Sequence, residues 1–329
     1  MVKVSDINLI FLISLPRSGS TLLQRMLATS PEIHTVSEPW LLLPLSTMVE
    51  NKYTIAMYNH QIAYDAISDF IQSLPDKRKG FYKEVEKFIL SLYSKSSRKG
   101  SLKYFLDKTP RYYLIIDFLS DVFPSAKFIF LFRNPLEVMA SILSSWMNNK
   151  FFLYRYYIDL FHGPQALVNG YEKLRERAIQ VNYSDLVKLP HTELKKICSF
   201  LNIQYDRSMT DKFTSVKLNG RMGDKKGVGE YNNITTASLE KWKKVLNTNY
   251  RKMYAKRYIR NLGDKTLSVF GTNKKDILGE IASIQNDKGG SLVDFYYHST
   301  SVIKRWILID YYKKLVKFGK NNRKFYPYL

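Results

Sequence analysis

The stretch "NLIFLISLPRSGSTLLQRML", residues 8–27, constrains this chain more than any other. Its first seven residues are almost wholly apolar, as expected of a parallel strand covered on both faces. A turn of proline, glycine and hydroxyl residues follows, and then apolar residues at helical spacing. A tight strand–loop–helix turn aims the unpaired N–H groups of the first helical turn at whatever sits in the loop. With the helix dipole, they favour an anion. The nucleotide-kinase version of this loop reads G-x-x-x-x-G-K-[ST], with lysine reaching the terminal phosphates. Here Ser14 stands at the first glycine position and Ser20 at the lysine position. Gly19 still permits close backbone approach, and Ser18, Ser20 and Thr21 surround it with hydroxyls. Arg17 lies before the helix, where a guanidinium fork would neutralise a phosphate or a leaving oxygen. No strand read from the sequence ends in the aspartate that would help hold magnesium, so metal-dependent ATP chemistry is disfavoured. A plain strand–turn–helix without a ligand would show the same local pattern.

Further strand-like runs lie at 33–36, 127–133 and 178–182, with helical patterns between them. The alternation predicts an α/β fold, a central parallel sheet flanked by helices. Residues 46–106 read as mostly helical, and 203–236 as loose chain around "RMGDKKGVGEY". In "KFIFLFRNPLEVMASIL", Arg133 ends a strand and Ser141 lies eight residues on, about two helical turns in. An arginine and a serine so placed would clasp one further phosphate. Gly289-Gly290 breaks the chain before a final basic helix, which places an extension at 273–329 after a main domain at 1–272.

Lys and Arg total 51 against 29 acidic residues, a net charge of +22. Such a balance fits either a basic surface or a chain that handles polyanions, anionic nucleotides or an anionic membrane face. No nucleic-acid-binding module is recognisable, so nucleic acid is not an expected partner. The single cysteine, Cys198, excludes an intramolecular disulfide and any multi-cysteine zinc site. Its amphipathic surroundings, "LKKICSFL", predict a packing role. No secretory signal opens the sequence and no apolar run approaches the roughly 20 residues of a membrane span, so a cytoplasmic protein is expected.

Taken together, "SLPRSGSTLLQRML", "DKTPRYYLIIDFLSDVFPSAKFIF", "FLFRNPLEVMASIL" and "VNYSDLVKLPHTELKKICSFLNIQYD" resemble the sulfotransferase family. Its members use 3′-phosphoadenosine 5′-phosphosulfate (PAPS) and release the bisphosphate PAP. The likeness covers about residues 8–272 and is closest to bacterial members, with tyrosylprotein sulfotransferases more distant. It implies a P-loop-containing nucleoside triphosphate hydrolase-like fold and a metal-independent transfer with two anion sites. On this resemblance Arg17, Ser18, Gly19, Ser20 and Thr21 hold the donor's 5′ end. Arg133 and Ser141 hold its 3′-phosphate, and Tyr183 lies near the adenine. A late loop containing Lys225, Lys226 and Gly227 would cover the nucleotide.

The tyrosylprotein relatives place a glutamate base after the second strand, where "PEIHTVSEPW" carries Glu38; His34 is the rival. Lys108, in "DKTPRY", matches a catalytic lysine and joins Arg17 as a candidate to stabilise the leaving group, with Asp107 beside it and Thr109 a candidate helix cap. The acceptor would be a hydroxyl of a sugar, lipid, peptide tyrosine or small natural product. Segments 46–106 and 145–170 would shape its pocket. The alternatives are a divergent P-loop kinase and a non-catalytic protein that binds anions or membranes. The basic tail has two readings of its own. It packs on the domain or on a second subunit of a homodimer, or it lies on an anionic membrane.

Overall fold

The structure is a computed structural model that describes residues 7–50, 59–96, 102–220, 233–287 and 289–306. Five strands form one sheet: β1 (Asn8–Ser14), β2 (Ile33–Thr35), β3 (Tyr104–Asp107), β4 (Lys127–Phe132) and β5 (Ala178–Asn182). Their order across the sheet is β2-β3-β1-β4-β5, and every pairing is parallel. Parallel strands need crossovers, which the helices supply. The longer helices are α1 (Ser20–Leu27), α2 (His60–Ser73), α3 (Lys77–Ser96), α4 (Ile116–Val122) and α5 (Pro135–Trp146). They continue as α6 (Gly163–Lys173), α7 (Pro190–Leu201), α8 (Asn249–Leu262), α9 (Lys274–Ser283) and α10 (Ser291–Trp306).

The continuous apolar runs are explained by burial on both faces. Successive strand residues point to opposite sides, so Phe11 and Ile13 enter one core and Ile10 and Leu12 the other. Phe128, Phe130 and Phe132 of β4 line the first core, while Ile129 and Leu131 line the second. Cys198 is buried in that second core against Met209, a packing role as expected. At α5, Asn134 accepts a hydrogen bond from the Leu136 N–H, and Pro135 occupies the first turn.

Two features differ from the sequence reading. The described part of 46–106 is mostly helical, as read, but its end forms a strand the sequence reading lacked, β3 beside β1. Four residues, "YFLD", are too few to show a period, and burial on both faces removes the alternation. The stretch before β4 is not one helix: a 3-10 turn at Tyr112–Leu114 precedes α4. The described part of 273–329 packs against the rest of the chain. Ile277 and Ile281 of α9 are fully buried in the first core. Asp294 of α10 is buried where Arg251 of α8 grips it with two hydrogen bonds, at 2.7 and 2.9 Å. Most of the basic run at 304–329 falls outside the described residues.

Candidate functional site

In a parallel sheet the carboxyl ends of the strands share one edge. A crevice opens there, where neighbouring strands are connected in opposite directions. Strand β1 is that point, since β2 and β3 lie on one side of it and β4 on the other. Each candidate side chain follows a strand end at this edge. Arg17 follows β1, Glu38 follows β2, Lys108 follows β3, Arg133 follows β4 and Tyr183 follows β5.

The loop after β1 turns sharply, with positive φ at Arg17 (67°) and Gly19 (91°). Glycine is required at position 19 on two counts. A side chain would be strained at that φ, and a Cβ would lie 2.4 Å from Cε2 of Tyr183. Ser18 is buried, and Ser20 and Thr21 open α1, whose first turn carries no acidic residue to repel an anion. Arg17 turns its guanidinium toward α5, donating to Ser141 Oγ and Ser145 Oγ, each at 3.2 Å. Its charge also lies over the Trp146 ring, 5.4 Å from the centroid.

Glu38 and Lys108 meet as a shielded ion pair, Nζ to Oε1 at 2.7 Å, with 3% exposure for the lysine side chain and 10% for the glutamate. The other carboxylate oxygen accepts from Trp40 Nε1 at 3.2 Å. Trp40 reaches it because its backbone is left-handed (φ 57°), with its N–H donating to Thr109 Oγ1. Lys108 Nζ is also 3.5 Å from Thr21 Oγ1, so one ammonium touches both the carboxylate and the phosphate loop. His34 stays within β2 and packs against the Phe105 ring.

Asp107 ends β3, contrary to the expectation that no strand ends in aspartate. Its oxygens are taken by Tyr93 OH (2.6 Å), Tyr112 OH (2.9 Å) and Thr109 Oγ1 (3.0 Å). Thr109 therefore serves Asp107 rather than capping a helix. Asp107 is held by these hydroxyls, and its neighbour Lys108 is held by Glu38. Burial pushes the Asp107 carboxyl up to about 6, with the three hydroxyl donors and Lys108 opposing the rise. The same burial, then Asp107 itself, raises Tyr93 and Tyr112 well above the usual phenol range.

Arg133 is buried and fully engaged. Its Nε donates to Glu137 at 2.8 Å, and its outer nitrogens donate to the carbonyls of Arg17 (2.9 Å) and Ser238 (3.4 Å). The guanidinium lies over the Tyr183 ring, 4.2 Å from its centroid, and Tyr183 OH meets Ser238 Oγ at 2.9 Å. Burial raises the Glu137 carboxyl, and Arg133 pulls it back. Arg133 and Ser141 are thus not bonded to each other here; Ser141 is paired with Arg17. Lys225, Lys226 and Gly227 lie outside the described residues. The chain on either side of them does reach the site. Asn219 O accepts from Ser37 N–H at 2.8 Å, next to Glu38, and Ser238 sits on Arg133 and Tyr183.

Sequence reasoning passed over Glu137, Ser145 and Trp146. Ser145 carried a legible signal, one helical turn beyond Ser141 and so on the same helix face, and Glu137 stands four residues beyond Arg133 at the start of α5. Trp40, two residues after Glu38, is read from the sequence as a shield for that carboxylate, and its ring N–H does donate to it.

The family model for the sulfotransferase family matches residues 9–207, which is more than half of the chain. This chain belongs to the sulfotransferase family. It is 34% identical over 146 residues to nodulation protein NoeE of Sinorhizobium fredii, covering 44% of this chain and 33% of that protein. It is 24% identical over 205 residues to protein-tyrosine sulfotransferase 1 of Danio rerio, covering 61% of this chain and 55% of that one. The chain thus spans a third of the first relative's length and about half of the second's. Among solved structures, the sulfotransferase domain from the curacin biosynthetic pathway superposes with a TM-score of 0.52 at 21% identity, covering 78% of this chain and 97% of that one. That likeness confirms the fold, a P-loop-like α/β sheet, and sulfuryl transfer is the chemistry of the family. No helix among the described residues is long and apolar enough to cross a membrane.

Proposed function

We propose that this sulfotransferase moves the sulfuryl group of PAPS to an acceptor hydroxyl, with Glu38 as general base and Arg17 and Lys108 stabilising the leaving group. One observation carries the reading. Glu38 and Lys108 form an ion pair within reach of the phosphate loop, so base, cation and anion cradle share one crevice. The residues fit the donor. Gly19 packs so tightly on Tyr183 that the loop backbone stays bare, and the opening turn of α1 carries no acid. Ser18, Gly19, Ser20 and Thr21 would hold the 5′ end. Arg133, Ser141 and Tyr183 would take the 3′-phosphate and adenine end, with Lys226 and Gly227 over it.

Each residue has a definite task in the transfer. Glu38 takes the acceptor's hydroxyl proton as the acceptor oxygen forms its bond to sulfur. The bond from sulfur to the donor's phosphate oxygen breaks, and the electron pair stays on that oxygen. Lys108 and Arg17 offset the charge that develops there. For this, Lys108 must exchange part of its contact with Glu38 for the leaving oxygen, which frees the carboxylate as the proton arrives. Arg133 anchors the loop through the Arg17 carbonyl, so the two anion sites are set by one side chain.

The acceptor is a hydroxyl compound, and the tyrosine sulfotransferase relatives favour a peptide tyrosine over a sugar, lipid or small natural product. The division into a transferase domain at 1–272 and a docked extension at 273–329 is part of the proposal, as are a cytoplasmic setting, homodimer formation and membrane contact by the basic tail. The test is thermal unfolding with PAP. PAP raises the melting temperature without added metal, by mass action, and ATP does so much less. Equal shifts from ATP, or a strict magnesium requirement, would overturn the reading.

A further inference from the structure

A second cavity lies between the segment 153–161 and helices α8 and α10. It holds about 260 Å³, room for roughly ten carbon-sized atoms. Its walls are five aromatic rings, Tyr154, Tyr157, Phe161, Tyr254 and Tyr258. They are braced against one another: Tyr157 stacks on Phe161 at 4.4 Å, and Phe161 meets Tyr258 edge-on at 5.3 Å. Tyr258 OH donates to Leu160 O at 2.8 Å, which fixes the floor, and Ser301 accepts from the Tyr154 N–H, which ties α10 to the opposite wall. The wall also contains a π-turn at Ile158–His162, a distortion common at functional sites. Asp159 in that turn is drawn away from the cavity. It accepts two hydrogen bonds from Arg111 and one from Tyr113, and it does not line the space.

Polar groups also line it, and one of them carries a full charge. Arg257, Asn261 and His298 face the cavity, and among the described residues no carboxylate does. Arg257 enters no ion pair with a described residue. An aromatic cage lined by carboxylates would suit a cation. An aromatic cage with an arginine and no acid suits the opposite charge.

We infer that this cavity is a binding site for a small amphipathic anion, an aromatic or compact apolar body bearing one carboxylate or sulfonate, with Arg257 as its counter-ion. The rings take the body through stacking and area burial, and Arg257 and Asn261 hold the charged end at the rim. The site does not depend on the transferase reading, because none of its lining residues belongs to the strand-end crevice.

The test is calorimetric titration of the full chain with 2-naphthoate, its neutral analogue 2-naphthylmethanol and the cationic 2-naphthylmethylammonium. Naphthoate binds best, the alcohol more weakly, and the ammonium worst. Arg257→Gln, at an exposed position that should not disturb folding, weakens naphthoate roughly tenfold and leaves the alcohol unchanged. Val302→Trp fills the space and removes binding of both. The inference fails if naphthoate does not bind or binds no better than the alcohol. It also fails if Arg257→Gln leaves naphthoate affinity intact, or if Val302→Trp still binds. The PAP-induced thermal shift of both variants stays at the wild-type value, so the failure of this site and of the nucleotide site are read separately.

Discussion

Replacing Asp107 with asparagine tests whether the hydroxyl cluster behind Lys108 is built as the structure has it. Asparagine keeps the shape. Its carbonyl accepts from Tyr93 and Tyr112, and its amide faces Thr109, whose hydroxyl reverses its role. Only the titration is lost. In the wild type, burial raises this carboxyl from 3.8 to about 6, so the folded state holds the proton more tightly than the unfolded chain. The sign follows from proton linkage. The stabilisation from this group is fully present below 3.8 and is lost as pH rises through about 6. The whole effect is about 3 kcal/mol, at 1.36 kcal/mol per unit. Between pH 7 and pH 5 the wild type gains about 1 kcal/mol that the variant does not. Urea unfolding of both proteins at the two pH values gives this difference of differences, and contributions from other groups cancel. Identical pH dependence in the two proteins, or a wild type that loses stability on acidification relative to the variant, would refute the buried, hydroxyl-held carboxyl.

Glu38→Gln lowers turnover roughly 10²–10⁴-fold with donor affinity nearly unchanged, in a labelled-donor assay at saturating acceptor; near-normal turnover would hand the role to another group. Arg133→Ala leaves Glu137 buried without its cation. It costs about 3–5 kcal/mol in denaturant unfolding, and Glu137→Gln on that background restores part of the loss. The same Arg133 variant loses preference for the 3′-phosphorylated nucleotide over its unphosphorylated form, as measured by competition binding. Gly19→Ala forces a methyl into the Tyr183 ring at a left-handed φ and destabilises by about 1–3 kcal/mol with loss of the PAP shift. Arg251→Ala breaks the buried contact with Asp294 of α10 and lowers stability by about 3–5 kcal/mol in denaturant unfolding; an unchanged midpoint would mean that α10 is not part of the fold's core.

What could be read from sequence and what could not follow one physical division. Strands β1, β2, β4 and β5 were legible because burial or short-range pattern fixes their composition, and the residues immediately after strand ends were legible because loop chemistry is local. Strand β3 was not, since "YFLD" owes its conformation to pairing with Asn8–Phe11, almost a hundred residues earlier. The site shows the same division at the scale of side chains. Arg17, Glu38, Lys108 and Arg133 could be picked out by residue type and position. Their pairing could not, because each pair joins different strand ends or helices: Ser141 and Ser145 with Arg17, Glu38 with Lys108, Ser238 with Arg133.

That division has a consequence for the chemistry. The five strand ends are held in register by backbone pairing, so their spacing is rigid. Of the side chains that cross between them, Lys108 pairs with Glu38 and touches Thr21, and Arg17 donates to two serine hydroxyls and lies over Trp146. Arg133 is gripped by a buried carboxylate, two carbonyls and an aromatic face. A transfer enzyme needs this contrast. The anchor that sets the loop must stay fixed through the reaction, and the cations that meet the developing charge must be able to leave one partner for another. On the proposed reading, Arg133 is the fixed post, and Lys108 and Arg17 are the groups that move. Substitution at 133 should therefore register in stability and binding together, while substitution at 108 registers mainly in turnover.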